Sequence, residues 1–254
     1  MARTVADLAF FLSAMAGPDA RAPLSISEPG TRFAGPLDRA FKGVRMAWWK
    51  DLGGLPVDHR VRQAVNAQRR VFESLGCIVE EAEPDFAGAD ETFKTLRAWS
   101  FTLRMADLVK QHRDLVKDTI LWEVERGERL TALEIGRAEV KHTELYHRMR
   151  QFLERYEFFV LPVSQVPPFD IQQPYVKEIE GTAMRTYIDW MRSCYYISIT
   201  NSPALSVPCG FTPGGLPVGI QIVGRHREEW ALLQMGHAFE QAAALPRRLP
   251  AVAA

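Results

Sequence analysis

The spacing of hydrophobic residues predicts an amphipathic helix near the start of the sequence, from Thr4 to Ala16. Its apolar side chains recur at steps of three and four and form one stripe, made of Val5, Leu8, Leu12 and Met15. Thr4 belongs to the residue types that cap helix N-termini, and Asp7 stands three residues later, where its carboxylate can accept backbone N–H groups. Gly17 and Pro18 end the pattern. Residues 1–20 are therefore predicted to contain one capped helix.

The next hydrophobic runs predict a strand, a helix and a second strand. Gly43–Trp49 is a compact apolar run, and Cys77–Glu81 is a second one. Between them, Asp58 can cap a helix over Arg60–Leu75, and Gly76 ends that helix. Two strands joined by a helix with short loops are typically parallel, so a βαβ unit is expected here.

The middle of the chain has a mostly helical pattern. It runs from Ala89 to Tyr156 with breaks around residues 126–128 and before Thr131, which with Glu134 forms a second capping pair. Phe158–Pro162 is predicted to be a short buried strand followed by a proline-rich loop. Thr182–Ser198 is predicted to be a helix that turns four side chains inward: Tyr187, Trp190, Met191 and Cys194.

The segment 203–244 is predicted to be a β-hairpin followed by a helix. Ala204–Cys209 and Leu216–Val223 are strand candidates joined through the turn residues of Pro213–Gly215. The last helix begins at Glu228 and carries its apolar stripe on Ala231, Met235, Ala238 and Ala242. Strands that alternate with helices in this way place the chain in the α/β class.

Composition and charge exclude some classes of partner. Of the 254 residues 47% are hydrophobic and 24% are charged, as in ordinary globular proteins, and 31 basic residues balance 31 acidic ones. This balance gives no electrostatic reason to expect nucleic acid or an anionic membrane as a partner. No run approaches the roughly 20 apolar residues of a membrane span. Three widely spaced cysteines, Cys77, Cys194 and Cys209, predict reduced thiols in a cytoplasmic protein.

No complete catalytic or metal-binding motif stands out from the residues alone. His142 and His147 flank Glu144, but a spacing of five turns their rings away from each other on a helix, so no metal site is predicted. The glycines of 210–219 fit turns rather than a phosphate-binding loop, and the sequence has no GxSxG and no adjacent serines. We therefore predict no cofactor and assign no catalytic residue.

Three segments, in order, resemble the amidase signature hydrolases. PALSVPCG followed by GGLPVGIQIVGRHREEWALL is similar to the family's C-terminal region, and YEFFVLPVSQVPPFD to one of its strand-and-loop segments. The opening MARTVADLAFFLSAMAG resembles the stretch that follows the family's signature region. The resemblance implies a mixed β-sheet flanked by helices and hydrolysis of a carboxylic amide by a Ser–cis-Ser–Lys triad, without metal or organic cofactor.

None of the triad residues can be placed on this sequence, because the matched stretches lie after the signature region. We therefore expect residues 1–254 to be the C-terminal part of a single amidase domain, with an incomplete fold, inactive alone and prone to aggregation. The expected partners are a small-molecule amide substrate, acted on by the full-length enzyme, and either the missing N-terminal half or a second copy of the chain. Asn201 stands where the family usually has glycine, and asparagine tolerates the positive φ of such a turn.

Three residues are predicted to face a substrate pocket: Ser164, Tyr195 and Asn201. Two other functions stay open. The chain could be a non-catalytic α/β binding or scaffold protein derived from the amidase fold. It could also be the C-terminal half of the catalytic subunit of a tRNA-dependent amidotransferase, although the neutral charge does not favour a tRNA partner.

Overall fold

A computed structural model describes residues 1–246 of the chain. The predicted domain limit of 254 therefore lies outside the described residues. The α-helices span Val5–Met15 (α1), His59–Asn66 (α2), Arg69–Ser74 (α3), Ala89–His112 (α4), Asp118–Glu128 (α5), Ala132–Arg155 (α6), Arg192–Ser198 (α7) and Glu229–Ala243 (α8). The strands span Arg45–Trp48 (β1), Ile78–Glu81 (β2), Phe158–Pro162 (β3), Glu178–Ile179 (β4), Thr182–Ala183 (β5), Ala204–Phe211 (β6) and Pro217–Val223 (β7).

A mixed five-stranded sheet in the order β2-β1-β3-β7-β6 forms the centre of the molecule. β1 runs parallel to both β2 and β3, which confirms the predicted βαβ unit. β7 runs antiparallel to β3 and to β6, which confirms the predicted hairpin. All five residues of β3 are buried, so the predicted strand Phe158–Pro162 lies in the middle of the sheet. The α/β class with a mixed sheet flanked by helices is thus confirmed.

Helix α1 has the predicted cap, and it packs on the last helix. Thr4 Oγ1 accepts a hydrogen bond from the backbone N–H of Asp7 at 3.0 Å, and the N–H of Val5 donates to Glu240 of α8 at 3.2 Å. The buried face is centred on Val5 and Ala9. Met15 is 62% exposed, so its predicted place in the packed stripe is wrong.

The helical middle of the chain has its breaks partly where the sequence predicts them. Thr131 and Glu134 form the predicted capping box at the start of α6. Residues 113–117 interrupt the helical pattern without a glycine or proline to signal it. α5 ends at Glu128, within the break predicted around residues 126–128, and Gly127 in its last turn allows close approach to α4. The predicted helix Arg60–Leu75 is likewise divided, into α2 and α3, although Asp58 caps it as predicted.

The predicted helix Thr182–Ser198 is wrong over its first half. Thr182–Ala183 pairs with Glu178–Ile179 in a small hairpin, and only residues 192–198 are α-helical. Gly181, with φ of +78°, supplies the turn of that hairpin. The carboxylate of Asp189 accepts the backbone N–H of Thr186 at 2.8 Å, a local bond that competes with helix formation.

One edge of the sheet is formed by β6, the strand that precedes β7 in the chain. An incomplete fold predicts an unpaired edge or a bare face for Leu216–Val223, but β7 is paired on both sides. The edge strand is β6, in which the residues Ala204, Ser206 and Pro208 are exposed and alternate with buried ones. Pro208 lies at an irregularity of the ladder, a position where proline removes no hydrogen bond between strands.

Candidate functional site

A groove lies between the proline-rich loop that follows β3 and the β6–β7 hairpin. Its volume is about 450 Å³, and it is lined by residues of that loop, by Trp190 and by residues of the β6–β7 hairpin. β3 and β6 run in the same direction, so the loop after β3 lies at their carboxyl edge. Ligands of open α/β sheets commonly bind at such an edge. The lining residues are Val61, Val163, Ser164, Val166, Pro167, Pro168, Phe169, Trp190, Ser206, Pro208, Pro217, Val218 and Gly219.

Ser164 is the one predicted pocket residue that lines this groove. Its Oγ accepts a hydrogen bond from the backbone N–H of Val166 at 3.3 Å. Among the described hydrogen bonds none joins the hydroxyl to a histidine, lysine or carboxylate, the groups that activate a serine nucleophile. The geometry therefore fits a hydrogen-bonding role for Ser164 in the groove.

Gln165 holds the groove loop in place. Its side chain is fully buried; its Nε2 donates to the carbonyl of Pro56 at 2.8 Å, and its Oε1 accepts the N–H of Arg192 at 2.7 Å. The backbone carbonyl of Gln165 also accepts the N–H of Asp58 at 2.8 Å. Sequence reasoning missed this residue, because a single glutamine in a proline-rich run carries no pattern.

The other wall of the groove is aromatic. The rings of Phe169 and Trp190 meet edge to face with centroids 5.3 Å apart. Trp190 follows Asp189, whose side chain is 3% exposed and accepts hydrogen bonds from Lys94 at 2.7 Å and from Thr186 N–H at 2.8 Å. Burial alone would raise the pKa of this carboxyl, but Lys94 and the Thr186 N–H outweigh it and lower the pKa to about 2. An ionised Asp189 thus anchors the loop that carries Trp190.

Tyr195 does not line the groove. It contacts Asp90, which shares Lys94 with Asp189. Its ring is buried and stacks on Phe93 with centroids 4.3 Å apart, and its hydroxyl donates to Asp90. Burial, and next the hydrogen bond to Asp90, raise the pKa of this phenol. Asp90 also accepts from Lys94 at 2.9 Å, so Tyr195 links α7 to α4.

Asn201 lies at the amino ends of β3 and β6, whereas Ser164 lies at their carboxyl ends. It has φ of +56°, as expected for a residue in place of glycine. Its carbonyl oxygen is 3.0 Å from Nδ1 of His226, in the loop after β7. The register pairs Ala204 with Val223 at this end and Pro208 with Gly219 toward the other. The structure therefore does not bring the three predicted pocket residues together.

The described residues include one cluster of possible metal ligands: Asp58, His59 and Glu180. Both carboxylate oxygens of Asp58 already accept from Arg60, at 2.9 and 2.6 Å. Glu180 accepts the backbone N–H of His59 at 3.0 Å. These contacts account for the cluster as a helix cap and an ion pair on the surface.

The three cysteines lack the surroundings of a nucleophile. They are free thiols. Burial raises the pKa of Cys77 to about 11 and that of Cys209 to about 12, and it also raises the pKa of Cys194. Reactive cysteines have lowered pKa values instead.

Comparisons with known proteins identify the family. The family model "Amidase" matches residues 1–233. The chain is 33% identical over 242 residues to an acylamidase of Rhodococcus erythropolis, covering 94% of this chain and 50% of that protein. It is 31% identical over 273 residues to one subunit of the glutamyl-tRNA(Gln) amidotransferase of Geobacillus kaustophilus, covering 98% of this chain and 55% of the relative.

Solved structures show the same fold. A bacterial aryl acylamidase superposes with a TM-score of 0.83 at 22% identity, covering 94% of this chain and 51% of its own. A 6-aminohexanoate cyclic dimer hydrolase superposes with a TM-score of 0.85 at 19% identity, covering 100% and 56%. The chain spans about half the length of the relatives it matches. Within the described residues, no helix is long and apolar enough to cross a membrane. The family model, which covers most of the sequence, shows that the chain belongs to the amidase family.

Proposed function

We propose that these 254 residues act as the carboxyl-terminal half of an amidase-type hydrolase. The proposal is carried by one observation: a chain of this family presents an open, apolar groove at the carboxyl edge of its sheet. The sequence has no adjacent serines, and its relatives are about twice as long as the matched region. The nucleophilic serine, the bridging serine and the lysine would therefore come from residues outside this sequence.

In this proposal the groove binds the part of the substrate next to the scissile amide. A serine attacks the amide carbonyl, the amine leaves, and water then hydrolyses the acyl-enzyme. The described chain would contribute apolar contacts from Val166, Phe169 and Trp190 and a hydrogen bond from Ser164. Such contacts position the carbonyl for attack.

The groove favours an acyl or aryl amide as substrate. None of its described lining residues carries a charge, whereas a charged substrate would need polar or charged partners. This uncharged lining agrees with the acylamidase among the relatives. We infer a cytoplasmic location from the three free thiols.

The first test is an amide-hydrolysis assay on the purified 254-residue chain with an acyl anilide. We expect no turnover above that of a parallel preparation from host cells that do not express the chain, which reports contaminating host amidases. Turnover that persists through repeated purification of the unaltered chain would overturn the proposed dependence on outside residues.

The second test is the intact mass of the protein isolated from its native source. A mass well above 28.7 kDa, together with acyl-anilide turnover by that longer protein, supports the proposal. A native protein of this mass that is monodisperse and inactive would instead support a non-catalytic binding or scaffold protein. A native homodimer of this chain with turnover would place the missing groups elsewhere than in an N-terminal half.

A further inference from the structure

A second cavity lies at the amino ends of β3 and β6, whereas the groove lies at their carboxyl ends. Its volume is about 470 Å³, within the range of roughly 300–1,000 Å³ typical of small-molecule sites. It opens between α6 and the two loops that precede β6 and follow β7. Neither the amidase match nor the groove assigns it a role. We propose that this cavity binds a small organic carboxylate.

Arg225 supplies the central cationic group. Its Nε donates to the carbonyl of Leu153 at 2.8 Å, and its Nη2 lies 3.5 Å from the carbonyl of Tyr156. These bonds fix the guanidinium at the C-terminus of α6. Among residues 1–246 Nη1 has no acceptor, so it remains available to donate to a ligand.

Two further polar groups line the cavity without protein acceptors. The hydroxyls of Tyr146 and Ser202 make no hydrogen bond with the described residues. Hydroxyls and a guanidinium are the donors that carboxylate oxygens need. The ring of Tyr146 also meets that of His226 edge to face with centroids 5.7 Å apart, which provides an apolar wall.

The charge of the lining favours an anion. It contains two arginines, Arg150 and Arg225, against one carboxylate, Glu154. Arg150 and Glu154 form an ion pair one helical turn apart, so the charge of Arg225 is left in excess. A neutral ligand of the same shape would not use this excess charge.

The two loops are held in an unusual backbone conformation. Asn201 has φ of +56°, and Arg227 has φ of +64°. A hydrogen bond between Asn201 O and His226 Nδ1, 3.0 Å, joins the loops, and Gly224 N–H donates to Pro203 O at 3.0 Å. Positive φ is unfavourable for a non-glycine residue, and such conformations are concentrated at functional sites, where the surrounding structure holds them in place.

The probe is 4-fluorobenzoate, and 4-fluorobenzamide is its neutral isostere; binding of both is followed by ¹⁹F NMR line widths. We expect saturable binding of the benzoate and binding of the benzamide weaker by about tenfold or more, since one charge-assisted hydrogen bond is lost. Tyr146→Phe and Arg225→Gln should each weaken benzoate binding by about tenfold. Arg137→Gln, an exposed residue of the same helix, is the matched control and should change nothing.

Because Arg225 also caps α6, its variant is checked by thermal unfolding. If Arg225→Gln does not fold, benzoate binding by Tyr146→Phe alone tests the proposed site. The proposal is overturned if benzamide binds as tightly as benzoate and loses that binding in Tyr146→Phe, if Tyr146→Phe leaves benzoate binding unchanged, or if benzoate shows no saturable binding at tens of millimolar. None of these measurements depends on amide hydrolysis.

Discussion

Asp189 is the buried charge on which the groove wall most depends. Its carboxylate contacts Lys94 at 2.7 Å and Arg192 at 3.3 Å. We expect Asp189→Asn to lower the free energy of unfolding at pH 7 by about 2 kcal/mol, because the partly buried Lys94 and Arg192 then keep only Asp90 as their counter-charge. Urea denaturation measures this loss. Asp85→Asn, which breaks an ion pair whose carboxylate is 65% exposed, should change stability by less than about 1 kcal/mol.

The same residue gives the chain an acid-dependent stability. The pKa of Asp189 is about 2 in the folded chain against an ordinary value of 3.8, so its contribution is fully present above the unfolded value. That contribution is lost as pH falls through the folded value. Asp189→Asn should therefore flatten part of the pH dependence of unfolding between about pH 5 and pH 2. An unchanged acid profile would contradict the assigned ion pairs.

For single residues the sequence predicts backbone conformation better than side-chain contacts. The positive φ of Asn201 follows from its residue type and from the glycine that the family has there. The partner of Tyr195 does not, because Asp90 lies 105 residues away and only the folded chain brings them together. Ser164 lies on the groove because it follows a strand whose limits the hydrophobic run marks well.

Two helix glycines differ in what surrounds them, which makes a matched pair of substitutions. A Cβ on Gly127 would lie 2.1 Å from Thr102 Oγ1 and 2.3 Å from the carbonyl oxygen of Ala98, where α5 crosses α4. A Cβ on Gly136 in α6 would meet nothing within 4 Å. We expect Gly127→Ala to destabilise the chain by about 2–3 kcal/mol by forcing these helices apart.

Gly136→Ala should instead stabilise by roughly 0.5–1 kcal/mol, because alanine has the higher helix propensity and restricts the unfolded chain. Thermal unfolding of both variants checks the pair. Destabilisation of equal size in both would show that the α4–α5 contact is not close. The sequence alone does not show which of the two glycines has close neighbours, because the contacts of Gly127 are with residues of another helix.

The elements that sequence reasoning found are those whose ends carry local signals. Capping residues fixed the starts of α1, α2 and α6, since a side chain there bonds to nearby backbone. The helix predicted over Thr182–Ser198 failed because its apolar spacing suits a helix, while the Asp189 carboxylate and the 178–183 hairpin stabilise other backbone shapes. Such competition depends on contacts that periodicity does not contain.

For the molecule as a whole, the family and the mixed sheet were predictable from the sequence, whereas the strand that forms the edge of the sheet was not. The ordered resemblance of three segments anticipated a fold that the TM-score of 0.83 supports. The same reasoning placed an unpaired edge on β7, although β6 covers it. Which strand ends a sheet depends on long-range pairing, and hydrophobic spacing within one strand carries no information about it.

Helix α1 carries the apolar surface most relevant to the behaviour of the isolated chain. Phe10 is 74% exposed and Met15 62%, while Val5 and Ala9 on the same helix are buried. Both side chains lie on the exposed part of α1, on different sides of the helix, and exposed apolar side chains of this size promote association of copies. We expect the purified chain to self-associate, and the double variant Phe10→Lys, Met15→Lys to remain monomeric to a higher concentration in sedimentation or light-scattering measurements. Its melting temperature should stay nearly unchanged, because exposed side chains contribute little to folding.

Leu24→Lys, at an exposed apolar residue outside the helix, is the matched control and should leave association unaltered. If the control suppresses association as strongly as the double variant does, the suppression is a general effect of added charge and does not belong to α1.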